Sequence, residues 1–426
     1  MVWQLLTNYD AAVADFEAMQ AAARRRGDRA KEGEALCNQA GAHWWRFSHA
    51  HEGLVEKCAN EAMVIAQETG DERILARALV SLGMVGQKSG MLREADQRFF
   101  QSIEICRRRN LKGPLITNLV WLGAHANWRG EFQKALEYEA EAEQLAQEIH
   151  EGLFELVAYC FSCNARAALG EWDLAFQAVE EAMRKARERE NKYGVARGLN
   201  TLGWIHRELG DLQRAVEFNQ EGIDLARSAK ISNAEINATI NLAEDNLALG
   251  RVDSAREILA ATAERIRTGF FDSHLWRWNI RVPLAFARLA VLAGEPDRAL
   301  PHLVEALELA EKTESRKYVA EARGLRGELL VAAGQHADGC AELRQALATA
   351  ERIDYRRGVW ELGRRLGRAL LDARREQEAR AAYETATGAL RAALPRIPDA
   401  RLRDTLLASE SIVRLREEAA TLGVAV

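Results

Sequence analysis

The sequence has little proline, no long apolar run and no excess of positive charge. Only 6 of its 426 residues are proline, and no stretch of alternating β-branched residues is long enough to predict a strand. No apolar segment approaches the about 20 residues that a membrane-spanning helix needs. The 58 basic and 63 acidic residues are interspersed and give a net charge of −5, unlike the basic surface of a nucleic-acid binder. These absences argue against a β-rich fold and against membrane or direct nucleic-acid partners.

Cysteine is also scarce. Six cysteines in a chain of this length do not make a disulfide framework, and the N-terminal residues lack the basic and apolar regions of an export signal. We therefore expect a reduced, cytoplasmic protein. Alanine, leucine, glutamate and arginine dominate instead, and these residues lose little free energy on entering a helix, so the fold class predicted is all-α.

A turn residue recurs every 40 residues along most of the chain. Small residues also recur five residues after it, as at Ala95 and Ala135, and seven residues before it, as at Gly83 and Gly123. Glycine favours the turn position because it adopts a left-handed backbone at little cost. The turn position holds Gly90, Gly130, Gly170, Gly210 and Gly250, then, after one interval of 44, Gly294, Gly334 and Arg374.

Each side of the turn has apolar residues spaced three and four apart, which predicts an amphipathic helix of roughly 15–18 residues. Such a helix hairpin buries its apolar face only by stacking on its neighbours, as in a solenoid. The Leu122-Gly123 and Leu202-Gly203 pairs, the turn glycine and the alanine positions resemble the tetratricopeptide repeat (TPR), whose common form has about 34 residues. This longer repeat is similar to the TPR regions of peptide-binding scaffolds and bacterial signalling regulators. The resemblance implies a right-handed TPR superhelix, an α-solenoid of about nine hairpins plus a C-terminal capping helix.

The repeat boundaries predict three parts of the chain. Residues 1–29 form a partial N-terminal repeat, which is either a shortened capping unit or the start of a fragment of a longer protein. Residues 30–390 form the array, and residues 391–426, with Pro395 and Pro398, form the capping segment. The four extra residues between Gly250 and Gly294 lie in an aromatic segment, for which an irregular turn and a docking patch are both open interpretations.

The chain contains no Walker loop and no HExxH or GxSxG motif, so we expect no enzyme activity, metal or cofactor. Cys160 and Cys163 form a lone CxxC pair, but Cys163 occupies a position that is small in other repeats, and packing explains it. His49 and His51, with His43 nearby, are the only histidine cluster. Their interpretation is solvated histidines at a turn.

In TPR proteins the first helix of each hairpin lines the concave groove, and this resemblance selects the candidate binding residues. Asparagine offers a donor and an acceptor to a peptide backbone, arginine pairs with carboxylates, and tryptophan supplies apolar anchors. We therefore expect an extended peptide or partner segment to bind in this groove, with acidic side chains as the candidate partners of the arginines. The candidate residues are Trp44, Phe47, Asn127, Trp128, Asn164, Arg197, Asn200, Trp204, Arg207 and Asn237.

Two functions are consistent with these observations. The first is a non-catalytic protein–protein interaction scaffold, and the alternative is the sensor or regulatory arm of a larger signal-transduction ATPase or transcription regulator. The sequence leaves the partner's identity and the choice between monomer and dimer open. It also leaves open whether the groove is empty or filled by the chain's own tail.

Overall fold

A computed structural model describes residues 9–45, 53–88, 90–269 and 274–425, and every regular element in these ranges is helical. The even-numbered helices from α2 to α18 are the first helices of successive repeats, and the odd-numbered helices from α1 to α19 are the second helices. A short 3-10 turn, Leu394–Arg396, precedes the last two helices. The helices are α1 Tyr9–Arg26, α2 Arg29–Trp45, α3 Leu54–Thr69, α4 Glu72–Lys88, α5 Leu92–Arg109, α6 Lys112–Trp128, α7 Phe132–Ile149, α8 Gly152–Ala168, α9 Trp172–Glu188, α10 Lys192–Glu208, α11 Leu212–Ser228, α12 Ser232–Ala248, α13 Val252–Gly269, α14 Leu275–Leu292, α15 Pro296–Lys312, α16 Arg316–Ala332, α17 His336–Arg352, α18 Arg356–Asp372, α19 Glu376–Ala393, α20 Ala400–Ala408 and α21 Glu410–Ala420.

The chain divides into two compact units. Unit 1 comprises residues 1–125, 137–158 and 264–277, and unit 2 comprises residues 126–136, 159–263 and 278–426. Unit 2 holds helices α9 to α12 and α15 to α21 in full, and it contains most of the candidate binding residues. None of the described helices is both long and apolar enough to cross a bilayer.

The turn between the two helices of a hairpin is a left-handed cap, as the repeated glycine predicts. At Gly170 the backbone φ is +78°, its N–H donates to the carbonyl of Ala167, and the N–H of Glu171 reaches back to Arg166 at 2.8 Å. These two bonds satisfy carbonyls that the end of α8 leaves unpaired. The same conformation recurs at Gly90, Gly130, Gly210, Gly250, Gly294, Gly334 and Arg374.

A second left-handed position separates one hairpin from the next, and no glycine marks most of its occurrences. The N–H of Glu190 donates to Arg187 and that of Asn191 to Ala186 at 2.8 Å, so this turn has the same capping bonds. Because the side chains at this position vary in size and charge, the sequence repeat indicates only the turn within each hairpin and not the turn between hairpins. The non-glycine residues with positive φ at this position are Asn110, His150, Glu190, Lys230, Glu314 and Asp354.

The small residues of the repeat let the second helix approach the first. In unit 2, a Cβ added to Gly203 would lie 2.5 Å from the amide of Asn219, and one added to Gly367 would lie 2.7 Å from the Tyr383 ring. In unit 1, Gly83 is covered in the same way by the ring of Phe99. The packing confirms the all-α solenoid of stacked helix hairpins that the repeat predicts.

The capping segment of unit 2 is built from two short helices, α20 and α21. Their apolar residues Leu402, Leu406, Ile412 and Leu415 are buried in one cluster with Tyr383 and Leu390 of α19. This cluster covers the apolar face that the last hairpin would otherwise expose. Pro395 lies in the short turn that redirects the chain, where the absence of its N–H costs no helical hydrogen bond.

Candidate functional site

The first helices of unit 2 present a row of charged side chains that pair with one another from helix to helix. We call this set the first-helix row. It runs over α10, α12, α14, α16 and α18, so it lies on the helices that the TPR resemblance assigns to the groove. Its members are Arg207, Glu208, Glu244, Asp245, Arg281, Arg288, Glu321, Glu328, Arg357 and Arg365.

The α10–α12–α14 part of the row is buried and fully paired. Arg207 contacts Glu244 at 2.8 Å and Asp245 at 3.0 Å, and Arg281 contacts the same Glu244 at 2.8 Å. The side chains of Arg207, Glu244 and Arg281 are each about one-tenth exposed. Charges buried to this extent are stable only when they are paired, so these contacts fix the relative positions of the three helices.

Glu244 and Asp245, the two acidic side chains of α12 in this row, respond in opposite ways to burial. Burial raises the pKa of Glu244, but the adjacent Arg281 and Arg207 outweigh that effect and hold the pKa at about 2. For Asp245, burial prevails over Arg207 and Asn219 and raises the pKa to about 6. Glu244 is therefore the permanently charged partner of the two arginines.

The α14–α16–α18 part of the row is more accessible to solvent. Arg288 contacts Glu321 at 2.7 Å, and Arg365 contacts Glu328 at 3.1 Å. These two pairs link α14 to α16 and α16 to α18. Arg288 and Glu328 are each more than one-third exposed, so these pairs are screened by solvent and bind the helices weakly.

A further contact joins the two ends of the row. The Arg357 guanidinium of α18 donates to the Glu208 carboxylate of α10 at 2.7 Å, and the Tyr355 hydroxyl donates to the same carboxylate at 3.3 Å. Burial raises the pKa of Glu208, but Arg357 and Lys317 outweigh it and the net shift is downward. The five first helices are thereby linked in a closed circuit: α10 to α12, α12 to α14, α14 to α16, α16 to α18, and α18 back to α10.

Other contacts continue this closure within unit 2. Arg396 contacts Asp173 at 2.9 Å, and Arg401 donates to Asp211 at 3.1 Å, so the capping segment reaches the first turn of α9 and the turn after α10. The two residues of these pairs are 223 and 190 positions apart in the sequence. The C-terminal repeats therefore fold back onto the middle repeats.

A network of asparagines on α10, α11 and α12 supports the buried part of the first-helix row. Asn219 of α11 accepts from Asn200 at 3.3 Å and from Asn241 at 3.4 Å, and its own amide donates to Asp245 at 2.7 Å. The Asn241 amide also donates to the backbone carbonyl of Asn200 at 3.3 Å. Because every member has a partner, the network aligns α10, α11 and α12 without leaving a costly unpaired polar group.

The candidate residues of α8, α10 and α12 lie in or beside this region. Asn164, Asn200 and Trp204 are half-buried. Arg207 is committed to Glu244 and Asp245, and Asn237 is 1 % exposed, with its side-chain oxygen accepting from the Trp278 indole at 3.1 Å. Asn164, Asn200 and Trp204 are thus partly exposed to solvent, whereas Arg207 and Asn237 are used in contacts between helices.

The remaining candidates are distributed between the units. In unit 2, Asn127 donates to the Phe161 carbonyl at 2.8 Å, and the rings of Trp128 and Phe161 lie 5.7 Å apart with Arg197 over the Phe161 ring at 5.8 Å. In unit 1, Trp44 is buried edge-to-face against Trp121 at 6.0 Å. Phe47 lies outside the described residues, as do His49 and His51. Residues 270–273, in the aromatic segment that carries the four extra residues, also lie outside them.

Sequence reasoning missed Lys317, Tyr355 and Arg357, which begin or precede the first helices α16 and α18. They stand seventeen to nineteen residues before the turn positions Gly334 and Arg374, outside the offsets from which candidates were chosen. A charged residue at the same offset in both repeats, Lys317 and Arg357, was the available signal.

The site holds no evident arrangement for metal or thiol chemistry within the described ranges. No group of three or more histidine, cysteine, aspartate or glutamate side chains there is disposed around a common point. Cys160 and Cys163 are both buried, and burial raises the pKa of the Cys163 thiol well above its usual value. A thiol of that kind is a weak nucleophile and a poor metal ligand.

The described helices form a solenoid of stacked helix hairpins, and the first-helix row links the first helices of its unit 2. Residues 115–286 match a family model described as the MalT-like TPR region. Over these residues the chain resembles a tetratricopeptide-repeat region, in agreement with the repeat in its sequence. No curated protein matches it in sequence.

Two solved structures share the fold at low sequence identity. One is a Rap protein complexed with competence and sporulation factor, at 14 % identity and a TM-score of 0.58, covering 83 % of this chain and 98 % of that one. The other is the Rap conjugation gene regulator of plasmid pLS20 in complex with the Phr* peptide, at 13 % identity and a TM-score of 0.56, covering 85 % and 96 %. Identities this low establish a common fold only.

Proposed function

We propose that this chain is a non-catalytic interaction scaffold that binds an extended peptide, or an extended segment of a partner protein, along the first helices of unit 2. The observation that carries the proposal is the position of Trp204. Its indole is half-buried on α10. Asn200 of the asparagine network lies one helical turn before it, and Glu208, which pairs with Arg357, lies one helical turn after it. A partly exposed tryptophan held on a rigid helix is the type of residue that dominates binding energy at interfaces.

The neighbouring side chains suit a peptide backbone and acidic side chains. Asn164 and Asn200 are half-buried and carry amide groups that can both donate and accept. Arg288 and Arg365 lie in the accessible part of the row, and a carboxylate of the ligand could replace Glu321 or Glu328 as their partner. The buried pairs of Arg207 and Arg281 act as the rigid support, since a site is more selective when its residues are held in place.

The two Rap structures support this proposal by analogy. One was solved in complex with competence and sporulation factor and the other in complex with the Phr* peptide, and each shares the fold over more than four-fifths of this chain. Because folds host many functions, this analogy raises the expectation of a peptide ligand without naming it.

A selection from a random peptide library on the purified chain tests the proposal. Peptides that bind are then measured by fluorescence anisotropy against the wild type and Trp204→Ala. We expect Trp204→Ala to weaken binding by a factor of about 30 or more, as for a tryptophan hot spot of at least 2 kcal/mol. Asn164→Ala and Asn200→Ala should each weaken binding less.

Phe100→Ala is the matched control, because Phe100 is an aromatic residue 46 % exposed on the second helix α5. It should leave the affinity unchanged. Peptides that bind Trp204→Ala as well as they bind the wild type would overturn the assignment of the site to the first helices of unit 2.

The alternative function, the sensor arm of a larger signalling ATPase or transcription regulator, is supported by the match of residues 115–286 to a MalT-like TPR region. In that case the first-helix row would bind an effector and transmit its presence to a further domain. Sequencing the complete gene and its transcript tests this idea: an ATPase or DNA-binding domain in the same polypeptide would support it, and an open reading frame limited to these repeats would eliminate it.

A further inference from the structure

The ammonium group of Lys317 lies between two aromatic rings of the first helices. Its Nζ is 4.7 Å from the centre of the Trp204 ring and 4.6 Å from the centre of the Tyr355 ring. Both distances are within the about 6 Å at which a cation is attracted to the face of an aromatic ring. Three separate helical elements thus bring two rings and one cation together: α10, the turn before α18, and α16.

A carboxylate completes the negative surroundings of this cation. Glu208 follows Trp204 by one helical turn on α10, is 5 % exposed, and is held in place by Arg357 and the Tyr355 hydroxyl. Lys317 acts on it through charge, since it is one of the groups that lower the pKa of Glu208. Two aromatic faces beside a fixed carboxylate are the elements by which proteins recognise ammonium groups.

We call Trp204, Tyr355 and Glu208 the cage. The cage and the Lys317 side chain that occupies it differ in how firmly they are fixed. Tyr355 is 4 % exposed and Glu208 is 5 % exposed, and both take part in the closure of α10 on α18. Lys317 is half-buried, has a flexible four-carbon stem, and reaches the cage from the first turn of α16. The site is therefore preformed, whereas its cation can be exchanged.

We propose that Trp204, Tyr355 and Glu208 form a recognition site for an ammonium group of the bound peptide, and that Lys317 occupies this site in the free protein. The ligand class is a lysine side chain or a peptide N-terminus. This inference rests on the proposed function, because it assigns one residue of the ligand to Trp204. It also makes Lys317 an internal competitor, so that ligand affinity is reduced by the fraction of molecules in which Lys317 fills the cage.

The proposal is tested with a pair of short peptides that differ in one charge. Acetyl-Gly-Lys-Gly-amide and its norleucine counterpart are titrated by calorimetry into the wild type, Lys317→Ala and Lys317→Met. Alanine empties the cage, whereas methionine fills it without a charge. We expect Lys317→Ala to bind the lysine peptide at least about tenfold more tightly than the wild type does. Lys317→Met should gain little, and the norleucine peptide should bind no variant measurably.

Trp204→Leu in the Lys317→Ala background is the second control and should abolish the gain. If Lys317→Ala binds both peptides equally, or if the gain survives Trp204→Leu, the cage does not recognise ammonium groups. That outcome leaves the peptide selection on Trp204 unaffected, so failure of this inference and failure of the proposed function are distinguishable.

A measurement on the wild-type chain tests the proposal even if Lys317→Ala destabilises the fold. Acylation of Lys317 by acetic anhydride is followed by mass spectrometry, with the trimethyllysine form of the peptide present because it cannot itself be acylated. Displacement from the cage should raise the labelling rate of Lys317 at saturating peptide, and the norleucine peptide should not. Equal labelling with both peptides would overturn the proposal.

Discussion

Arg357 and Glu208 form an ion pair at 2.7 Å although 149 residues separate them, and this pair joins the last first helix, α18, to α10. Glu208 is 5 % exposed while the Arg357 side chain is 27 % exposed, so the carboxylate has the greater desolvation cost. Its contact with the Tyr355 hydroxyl provides a second hydrogen bond. The closure of the first-helix row therefore depends on a buried carboxylate whose partners come from a repeat almost 150 residues away.

We predict that this closure is a measurable source of stability. Glu208→Gln should lower the free energy of unfolding by about 3 kcal/mol, because Arg357 loses its charged partner in a mostly buried site. Glu208→Gln combined with Arg357→Met should recover part of the loss, and urea unfolding of the four proteins gives the coupling energy. The exposed pair Arg184–Glu188 on α9 is the control, for which no measurable coupling is expected. Additive effects at Glu208 and Arg357 would show that the closure contributes nothing.

The repeat itself could be predicted from the sequence because its requirements are local. Glycine at the hairpin turn and small residues where helices cross are dictated by a positive φ and by close approach, as at Gly170 and Gly203. The closure could not be predicted in the same way. Whether Arg357 meets Glu208 depends on a small rotation added at each of several repeats, and no residue type encodes the sum of those rotations.

The candidate site shows a related limit. Arginine and asparagine were selected because they suit a peptide ligand, yet the same chemistry suits a neighbouring helix, and Arg207 and Asn237 contact Glu244, Asp245 and Trp278. One sequence cannot distinguish a polar group that awaits a ligand from one already paired within the chain. For Asn164, Asn200 and Trp204 the prediction of a ligand-binding role stays open to the experiments above.

A second prediction concerns Glu139, which occupies a core position of unit 1. Its side chain is 1 % exposed, neither carboxyl oxygen has a hydrogen-bond partner among the described residues, and burial raises its pKa well above the usual value. Equivalent positions in other repeats hold the apolar Phe99, Val179 and Leu259, whereas the polar Asn219 at this position is hydrogen-bonded. Glu139→Leu should therefore raise the free energy of unfolding by about 1–3 kcal/mol, since it removes an unsatisfied buried group.

The pH dependence at Glu139 provides an independent reading. Because folding raises the pKa of this carboxyl, the folded state binds its proton more tightly than the unfolded chain does. The folded state is therefore destabilised increasingly as pH rises above about 4.5, the pKa of the carboxyl in the unfolded chain. The stability gain from Glu139→Leu should be larger at pH 8 than at pH 4 in urea unfolding. Glu137→Leu, an exposed position on the same helix, should change stability little at either pH. A loss of stability in Glu139→Leu would mean that the carboxyl has a favourable role.

A third prediction follows from Arg374, which adopts φ +58° at the hairpin turn where other repeats have glycine. A side chain in this left-handed conformation costs about 1 kcal/mol relative to glycine. Arg374→Gly should therefore raise the melting temperature, measured by circular dichroism. Arg380, an exposed residue inside α19, is the control, and Arg380→Gly should lower the melting temperature because glycine disfavours a helix interior. The same direction of change in both variants would contradict the argument.

The last prediction concerns the acid stability of the first-helix row. The folded pKa of Glu244 is about 2, against about 4.5 in the unfolded chain, because Arg281 and Arg207 outweigh the effect of burial. A carboxyl with a depressed folded pKa contributes stability that is complete above the unfolded value and is lost as pH falls through the window from about 4.5 to about 2. At neutral pH this contribution is about 3 kcal/mol.

Glu244→Gln should remove that contribution. The variant should be less stable than the wild type at pH 7, and the difference should shrink as pH falls from about 4.5 towards 2, where the wild-type carboxyl also becomes neutral. Urea unfolding at pH 7, 4 and 3 measures the difference directly. Glu264→Gln is the control, because Glu264 is 59 % exposed and pairs only with its helix neighbour Arg267 on α13. A difference between Glu244→Gln and the wild type that does not change with pH would show that the arginine pairs do not hold Glu244 ionised, and that packing alone accounts for its role between α10 and α14.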